Sequence, residues 1–236
     1  MKIIGIIPAR YNSTRINGKP LIKIAGKTLI ETTYLNMLNS GLFEHLYIAT
    51  DSKVIQKHAK QIDAPCIMTS NTLINGTERC NDVMNKLKIK SSTQDLIINI
   101  QCDEPFIKKE HVTRLINLFK EETQIGTIIS KINPIDFKDK SVVKLNLATD
   151  NTALKFSRHM KDINKDTTIY KHVGIYAYTK ETLSALANLP ETKAEFEQKL
   201  EQLRWLNFNY KIKCAIIKED LLSINTEQDV KKLHYK

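Results

Sequence analysis

Cysteine is scarce and scattered. The four, Cys66, Cys80, Cys102 and Cys214, include no C-x-x-C pair, which argues against a disulfide framework or a structural zinc site. No run of about 18 apolar residues occurs, so no membrane span or insertion is expected. Neither G-x-x-x-x-G-K-[ST] nor G-x-G-x-x-G is present, which excludes the P-loop and the dinucleotide fingerprint. No arrangement of residues suggests a nucleophile triad, and low-complexity segments and long repeats are missing. The opening MKIIGIIPAR has too short an apolar run for a signal peptide and no small-residue cleavage site. The expectation is a cytoplasmic protein.

What is there is a chain of 236 residues, 42% hydrophobic, enough for a packed core. The formal charge of +10 points to a polyanionic partner. Nucleic acid is not expected, because the lysines are spread and no basic tract interleaves with aromatics. Nucleotides, sugar acids and pyrophosphate are anions too, so charge alone does not choose.

Apolar runs and amphipathic stretches alternate, the pattern of βαβ units around a largely parallel sheet. Strands are expected at Ile3–Ile7, Leu46–Ala49, Cys66–Met68, Leu96–Ile100, Ile125–Ile132 and Ile212–Ile217. Thr28 and Glu31 form a possible capping box, ahead of a helix with Ile30, Tyr34, Met37 and Leu38 on one face and Gly41 as its stop. A second helix after Ser52 turns Val54, Ile55, Ala59 and Ile62 inward. Val112, Leu115, Ile116 and Phe119 form the core face of another. Between about 133 and 180 no good helix occurs, and strand-like runs at 142–147, 153–157 and 171–178 suggest an inserted antiparallel lobe. One helix is expected from about Ala194 to Asn207, and a last one starts at Asn225 or Thr226. The fold class is α/β, one domain over 1–236 with that lobe.

Chemistry concentrates in three loops. The stretch after the first strand, PARYNSTRINGK, carries Arg10, Ser13, Arg15, Gly18 and Lys19, cations suited to a polyphosphate at the carboxyl edge of a sheet. A solvated basic loop is the alternative. TSNTLINGTERC brings Gly76, which lets backbone approach a ligand closely, and Arg79; an ordinary helix start capped by Asn75 is the alternative. Gln101-Cys102-Asp103-Glu104-Pro105 ends a central strand, where a carboxylate can share Mg²⁺ with substrate phosphates. Asp103 is the better metal candidate, and Glu104 the cap or brace.

IPARYNSTRINGKPL closely resembles the first motif of the 3-deoxy-manno-octulosonate (Kdo) cytidylyltransferases, the CMP-Kdo synthetases. IATDS, GTERC, IINIQCDEPFI and the pair HVGIYAY with KLEQLR match in the same order, so the resemblance covers nearly the whole chain. It implies a three-layer α/β/α fold with a Rossmann-like sheet of the nucleotide-diphospho-sugar transferase type. It implies Mg²⁺ as cofactor, a homodimer, and CTP and a Kdo-like acid as partners, for lipopolysaccharide or capsule synthesis. By the same resemblance Pro8, Ala9, Arg10, Ser13, Arg15 and Lys19 would hold the nucleotide with Asn75, Gly76, Thr77, Arg79 and Gln101. Arg15, Lys19 and Asp103 would be catalytic. Arg158, His172, Tyr176, Glu201 and Gln202 would face the sugar acid, Arg158 through its carboxylate. A satisfied core strand is the alternative for His172 and Tyr176.

Several positions depart from the family pattern. Cys102 stands for a glycine, so the turn survives only if φ is negative there, and neighbouring cations and metal could lower its pKa. Asn225 stands for a second metal-binding aspartate and offers a neutral oxygen. Asp229, one turn on, is not expected to substitute for it. Leu73, Asn75 and Glu78 replace a histidine, a serine and an aspartate. These changes keep open a relative acting on a modified acid, such as an 8-amino form, a capsule-pathway paralogue, or a catalytically weakened nucleotide-binding one.

Overall fold

The computed structural model describes residues 1–11, 16–87, 92, 94–226 and 228–230. In chain order the strands are β1 (Ile3–Ala9), β2 (Lys23–Ile24), β3 (Lys27–Thr28), β4 (His45–Thr50), β5 (Cys66–Met68), β6 (Leu96–Ile100), β7 (Ile125–Lys131), β8 (Lys144–Leu147), β9 (Ala153–Ser157), β10 (Tyr170–Thr179) and β11 (Ile212–Ile217). The helices are α1 (Leu29–Ser40), α2 (Lys53–Gln61), α3 (Gly76–Lys86), α4 (Lys109–Asn117), α5 (Lys180–Ala187), α6 (Lys193–Gln198) and α7 (Gln202–Asn207).

The main sheet runs β11-β7-β10-β6-β1-β4-β5. Ladders β6-β1-β4-β5 and β11-β7 are parallel, and β10 lies antiparallel between β6 and β7. Alternation along β1 sends Ile7 and Ala9 to one face and Ile4 and Ile6 to the other. The first face packs on α1, α2 and α4 through Tyr34, Met37, Ile55, Val112 and Leu115. The second packs on α3, α5 and α7 through Val83, Leu183 and Trp205. Two cores on two faces of one sheet make the three layers.

The expected lobe divides. β8 and β9 form an antiparallel ladder, but β10 is an interior strand of the main sheet, joined to β8 only at its start. The strand reading of 171–178 was right, and its pairing lay beyond local pattern. A hairpin, β2-β3, was missed: its turn, Ala25-Gly26, has φ of 48° and 87°, the positive pair that Asn-Gly usually signals. The single helix expected over 194–207 is broken into α6 and α7, because Lys199 takes the left-handed conformation, φ 53°. Thr226 Oγ1 accepts the Asp229 N–H ahead of helical residues 228–230, and the rest of the expected last helix lies outside the described residues.

Two helix faces are narrower than expected: Leu38 and Val54 are half exposed. The capping box of α1 is formed, Thr28 Oγ1 accepting the Glu31 N–H at 3.2 Å and Glu31 Oε2 the Thr28 N–H at 3.4 Å, with Gly41 left-handed at the other end. Thr28 Oγ1 also meets His58 Nε2 at 2.8 Å, which ties α1 to α2. Replacing Thr28 by Ala should therefore cost about 1 kcal/mol or more, read as a lower urea midpoint at unchanged slope; an unshifted midpoint would show the cap to be idle.

Candidate active site

Strand order reverses at β1 and β6, so a crevice opens at their carboxyl ends, where open α/β sheets bind ligands. The loops after β1, β5 and β6 meet there. Lys19 Nζ from the first donates to Asp103 Oδ2 from the third at 2.6 Å. Arg10 Nη1 donates to the Ile74 carbonyl at 2.8 Å, which joins the first loop to the second. The segment before Thr226 closes one wall, because the Ile224 N–H donates to the Asp103 carbonyl at 2.9 Å and carries Asn225 alongside.

The cleft measures about 1040 Å³, room for two small ligands together. Of the residues expected to hold the nucleotide, Arg10, Asn75, Gly76 and Gln101 line it. Of those expected to face the sugar acid, Arg158, His172, Tyr176, Glu201 and Gln202 do. Asp103 and Asn225 line it as well. Lys19, almost fully buried, reaches the cleft through Asp103.

Besides Lys19, four expected residues among those described do not line it. Pro8 and Ala9 are buried in β1, as a strand inside a parallel sheet must be. Thr77 is buried against the Tyr178 hydroxyl, 2.9 Å away. Arg79 is wholly buried: it donates to Asp51 Oδ2 at 3.1 Å and to Thr69 Oγ1, so it fastens the loop after β5 to the end of β4. Ser13 and Arg15 lie outside the described residues.

Asn75 caps α3 by accepting the Glu78 N–H at 2.8 Å. The helix N-terminus thus opens on the cleft, where its amides and dipole favour an anion. Gly76 lies close under Gln101: a Cβ there would stand 2.7 Å from Gln101 Nε2 and displace that side chain. Cys102 is not among the described residues with positive φ, so the turn does survive its side chain. Burial pushes its thiol up to about 12, the reverse of activation.

Arg158 is engaged differently from expectation. Its guanidinium donates to the carbonyls of Gln198 (2.8 Å), Lys140 and Ser141 (both 3.1 Å) and Lys199 (3.4 Å). It clasps the α6–α7 joint to the loop before β8. His172 is held neutral at about 3 by burial and by Arg158. Thr127 Oγ1 spends its proton on the Ile175 carbonyl, so the 2.9 Å contact is His172 Nε2–H donating to Thr127, and Nδ1 is the ring's acceptor. Tyr176 packs edge-on to Trp205, centroids 4.9 Å apart, and its buried hydroxyl has no partner among the described residues. Such an atom is a ready contact for a polar ligand.

Residues that sequence reasoning passed over include Asn99, buried in β6, and the Arg204–Glu195 pair, bonded twice at 2.6 and 2.8 Å beneath α6 and α7. A polar residue inside an apolar strand was the available signal for Asn99. Glu104 is the brace expected of it: Oε1 accepts the Gly174 N–H at 3.0 Å and the Ser223 hydroxyl at 2.6 Å, locking β10 and the closing segment to the β6 loop.

For Mg²⁺ the donor set is one carboxylate, Asp103, beside the carboxamide of Asn225. Hard oxygens completed by phosphate and water suit that ion, so the residues fit. Asp229 is otherwise employed: its Oδ2 accepts from the N–H groups of Asn225 and Thr226 at 3.0 and 2.9 Å. Among the described residues one other group has metal-like spacing, Glu110, His111 and Glu219. There His111 Nδ1 accepts the Lys108 N–H at 3.2 Å, which leaves the proton on Nε2, the atom facing both carboxylates.

The fold and cleft define a class: an α/β protein whose site, at the switch point of its sheet, sets cations and a helix N-terminus against a carboxylate, the furniture of phosphate-ester chemistry. The cytidylyltransferase family matches residues 4–213, and the chain belongs to it. It is 36% identical to an 8-amino-3,8-dideoxy-manno-octulosonate cytidylyltransferase of Shewanella baltica, over 98% of this chain and 97% of that one. It is also 36% identical to a 3-deoxy-manno-octulosonate cytidylyltransferase of Phocaeicola vulgatus, over 98% and 95%. A solved CMP:2-keto-3-deoxy-manno-octonic acid synthetase complexed with CTP superposes with a TM-score of 0.88 at 30% identity, covering 100% of this chain and 98% of that one.

Burial and the Asp103 charge raise Glu104 from the ordinary 4.5 to about 7. The folded carboxyl thus holds its proton more tightly than the unfolded one. Its contribution to stability is full below about 4.5 and is lost as pH rises through about 7. With nucleotide and divalent ions absent, Glu104→Gln should flatten the fall in unfolding free energy across that window; a slope equal to wild type would contradict the assignment.

Proposed function

We propose that the protein transfers the cytidylyl group of CTP to the anomeric hydroxyl of a 3-deoxy-manno-octulosonate-type sugar acid and releases pyrophosphate. The observation that carries this reading is the convergence, in one cleft, of the Lys19–Asp103 pair and the α3 N-terminus with the acid-side group around Tyr176 and Glu201. The hydroxyl attacks the α-phosphorus in line, the bond to the bridging oxygen of pyrophosphate breaks, and the hydroxyl loses its proton. No covalent enzyme intermediate is required, so catalysis is positioning and charge neutralisation.

Arg10 and Lys19 neutralise the phosphate oxygens, and Lys19 stabilises the charge that grows on the departing pyrophosphate. Triphosphate competes with Asp103 for Lys19, which frees the carboxylate. Asp103 and the Asn225 amide oxygen would hold Mg²⁺. That ion, when bound, makes the phosphorus more electrophilic and acidifies the attacking hydroxyl. On the acid side Tyr176 supplies an unpartnered hydroxyl, and Glu201, raised to about 7 by burial, accepts from the acid's hydroxyls once ionised. The reading carries with it a homodimer, a cytoplasmic setting and the supply of an activated acid for lipopolysaccharide or capsule synthesis.

A second reading, transfer to an amino-bearing acid, is favoured by the far wall. There Lys171 meets two carboxylates, Asp220 at 2.6 Å and Asp136 at 3.7 Å, a surplus of negative charge that suits an ammonium group.

Pyrophosphate release should be followed with CTP, Mg²⁺ and a panel of sugar acids. Release with 3-deoxy-manno-octulosonate supports the first reading, and release with its 8-amino form alone the second. CTP binding without release from any acid would contradict both. Asp103→Ala should lower kcat by about a hundredfold or more with the fold intact by circular dichroism; near-normal turnover would remove Asp103 from the mechanism. Asn225→Asp should shift the Mg²⁺ titration to lower concentration, and an unmoved titration would put Asn225 away from the ion.

A further inference from the structure

Asn99 is fully buried in β6, a strand otherwise of leucine and isoleucine. A carboxamide in such a place is costly unless its hydrogen bonds are met. They are met by groups that lead to two cleft residues, Gln101 and Glu201. Gln101 Nε2 donates to Asn99 Oδ1 at 3.1 Å. Asn99 Nδ2 donates to the Tyr178 hydroxyl at 3.4 Å. That hydroxyl stands 2.9 Å from Thr77 Oγ1. The Thr77 backbone N–H in turn donates to Glu201 Oε2 at 3.4 Å.

Two links have a direction: Gln101 donates to Asn99 and Asn99 to Tyr178, and each bond polarises the next. At the far end the consequence is specific. The Gln101 amide nitrogen is turned inward, and its carbonyl oxygen is the atom left for the cleft. Gly76 leaves room for that amide, since a Cβ there would stand 2.7 Å from Gln101 Nε2 and 3.0 Å from Asn99 Nδ2 and push them aside.

We propose that Asn99 and Tyr178 are positioning residues for the transfer reaction: they lock Gln101 with its carbonyl oxygen toward the ligand, where it reads a donor group, a hydroxyl or an amine. The same relay ties that setting to Glu201, so the two halves of the cleft are held in register. Neither residue lines the cleft; both act through Gln101 and Glu201. The proposal rests on the cytidylyl-transfer reading.

Tyr178→Phe deletes only the hydroxyl and keeps the ring beside Tyr176 and Trp205, centroids 6.1 and 5.8 Å away. The test is a double-mutant cycle with Gln101→Ala, which separates a relay from packing. In the wild-type background Tyr178→Phe should lower kcat/KM by about tenfold. In the Gln101→Ala background the loss should shrink to about twofold or less. An equal loss in both backgrounds, or none in either, would overturn the proposal. A wild-type protein that turns over no acid fails the transfer reading instead. The same cycle is then read in the Kd for CTP by calorimetry, where non-additivity supports the relay and additivity overturns it.

Discussion

The site depends on one ion pair. Lys19 and Asp103 come from loops after adjacent strands and meet at 2.6 Å, both largely shielded from water. Neither charge is cheap to hold there alone, because a half-dry ammonium or carboxylate gives up hydration that only its partner restores. Together they draw the first loop onto the end of β6. Each is also the group that the proposed chemistry uses, the ammonium for phosphate and the carboxylate for a cation. In the proposed chemistry the pair is thus a resting arrangement that ligands exchange, phosphate competing for one member and a metal ion for the other.

Around that pair the fold supplies rigidity where it is needed. β10 crosses antiparallel beside β6 and breaks register with β7 between Val173 and Tyr176, near the Gly174 N–H that Glu104 accepts. Such irregularities re-aim side chains beside active sites. Here the break lies between His172 and Tyr176, which both line the cleft, while Trp205 backs the ring of Tyr176. Glu104, Arg158 and Arg79 are all ionisable, and all are spent on holding loops: one braces β10, one clasps the α6–α7 joint, one fastens the loop after β5. In this cleft, charge does as much structural as chemical service.

Much of this was legible in the sequence because the signals were local. The capping box at Thr28, the left-handed Gly41, the Asn75 cap and the strand runs each act within a few residues. The family motifs were legible for the same reason, as short stretches with fixed spacing. What was not legible depended on partners far along the chain. Nothing near Arg158 shows that its donors meet carbonyls of residues 198 and 199. Nothing near Arg79 shows that Asp51 awaits it. The position of β10 within the main sheet, the break at Lys199 and the burial of Asn99 likewise arise from tertiary pairing, which overrides local preference.

The most direct measurement is a crystal structure with CTP and Mg²⁺ bound. The account predicts phosphate oxygens on Lys19, the ion on Asp103, and the two side chains parted beyond the 4.0 Å limit of an ion pair. A nucleotide seated elsewhere, with Lys19 and Asp103 still joined at 2.6 Å, would contradict it.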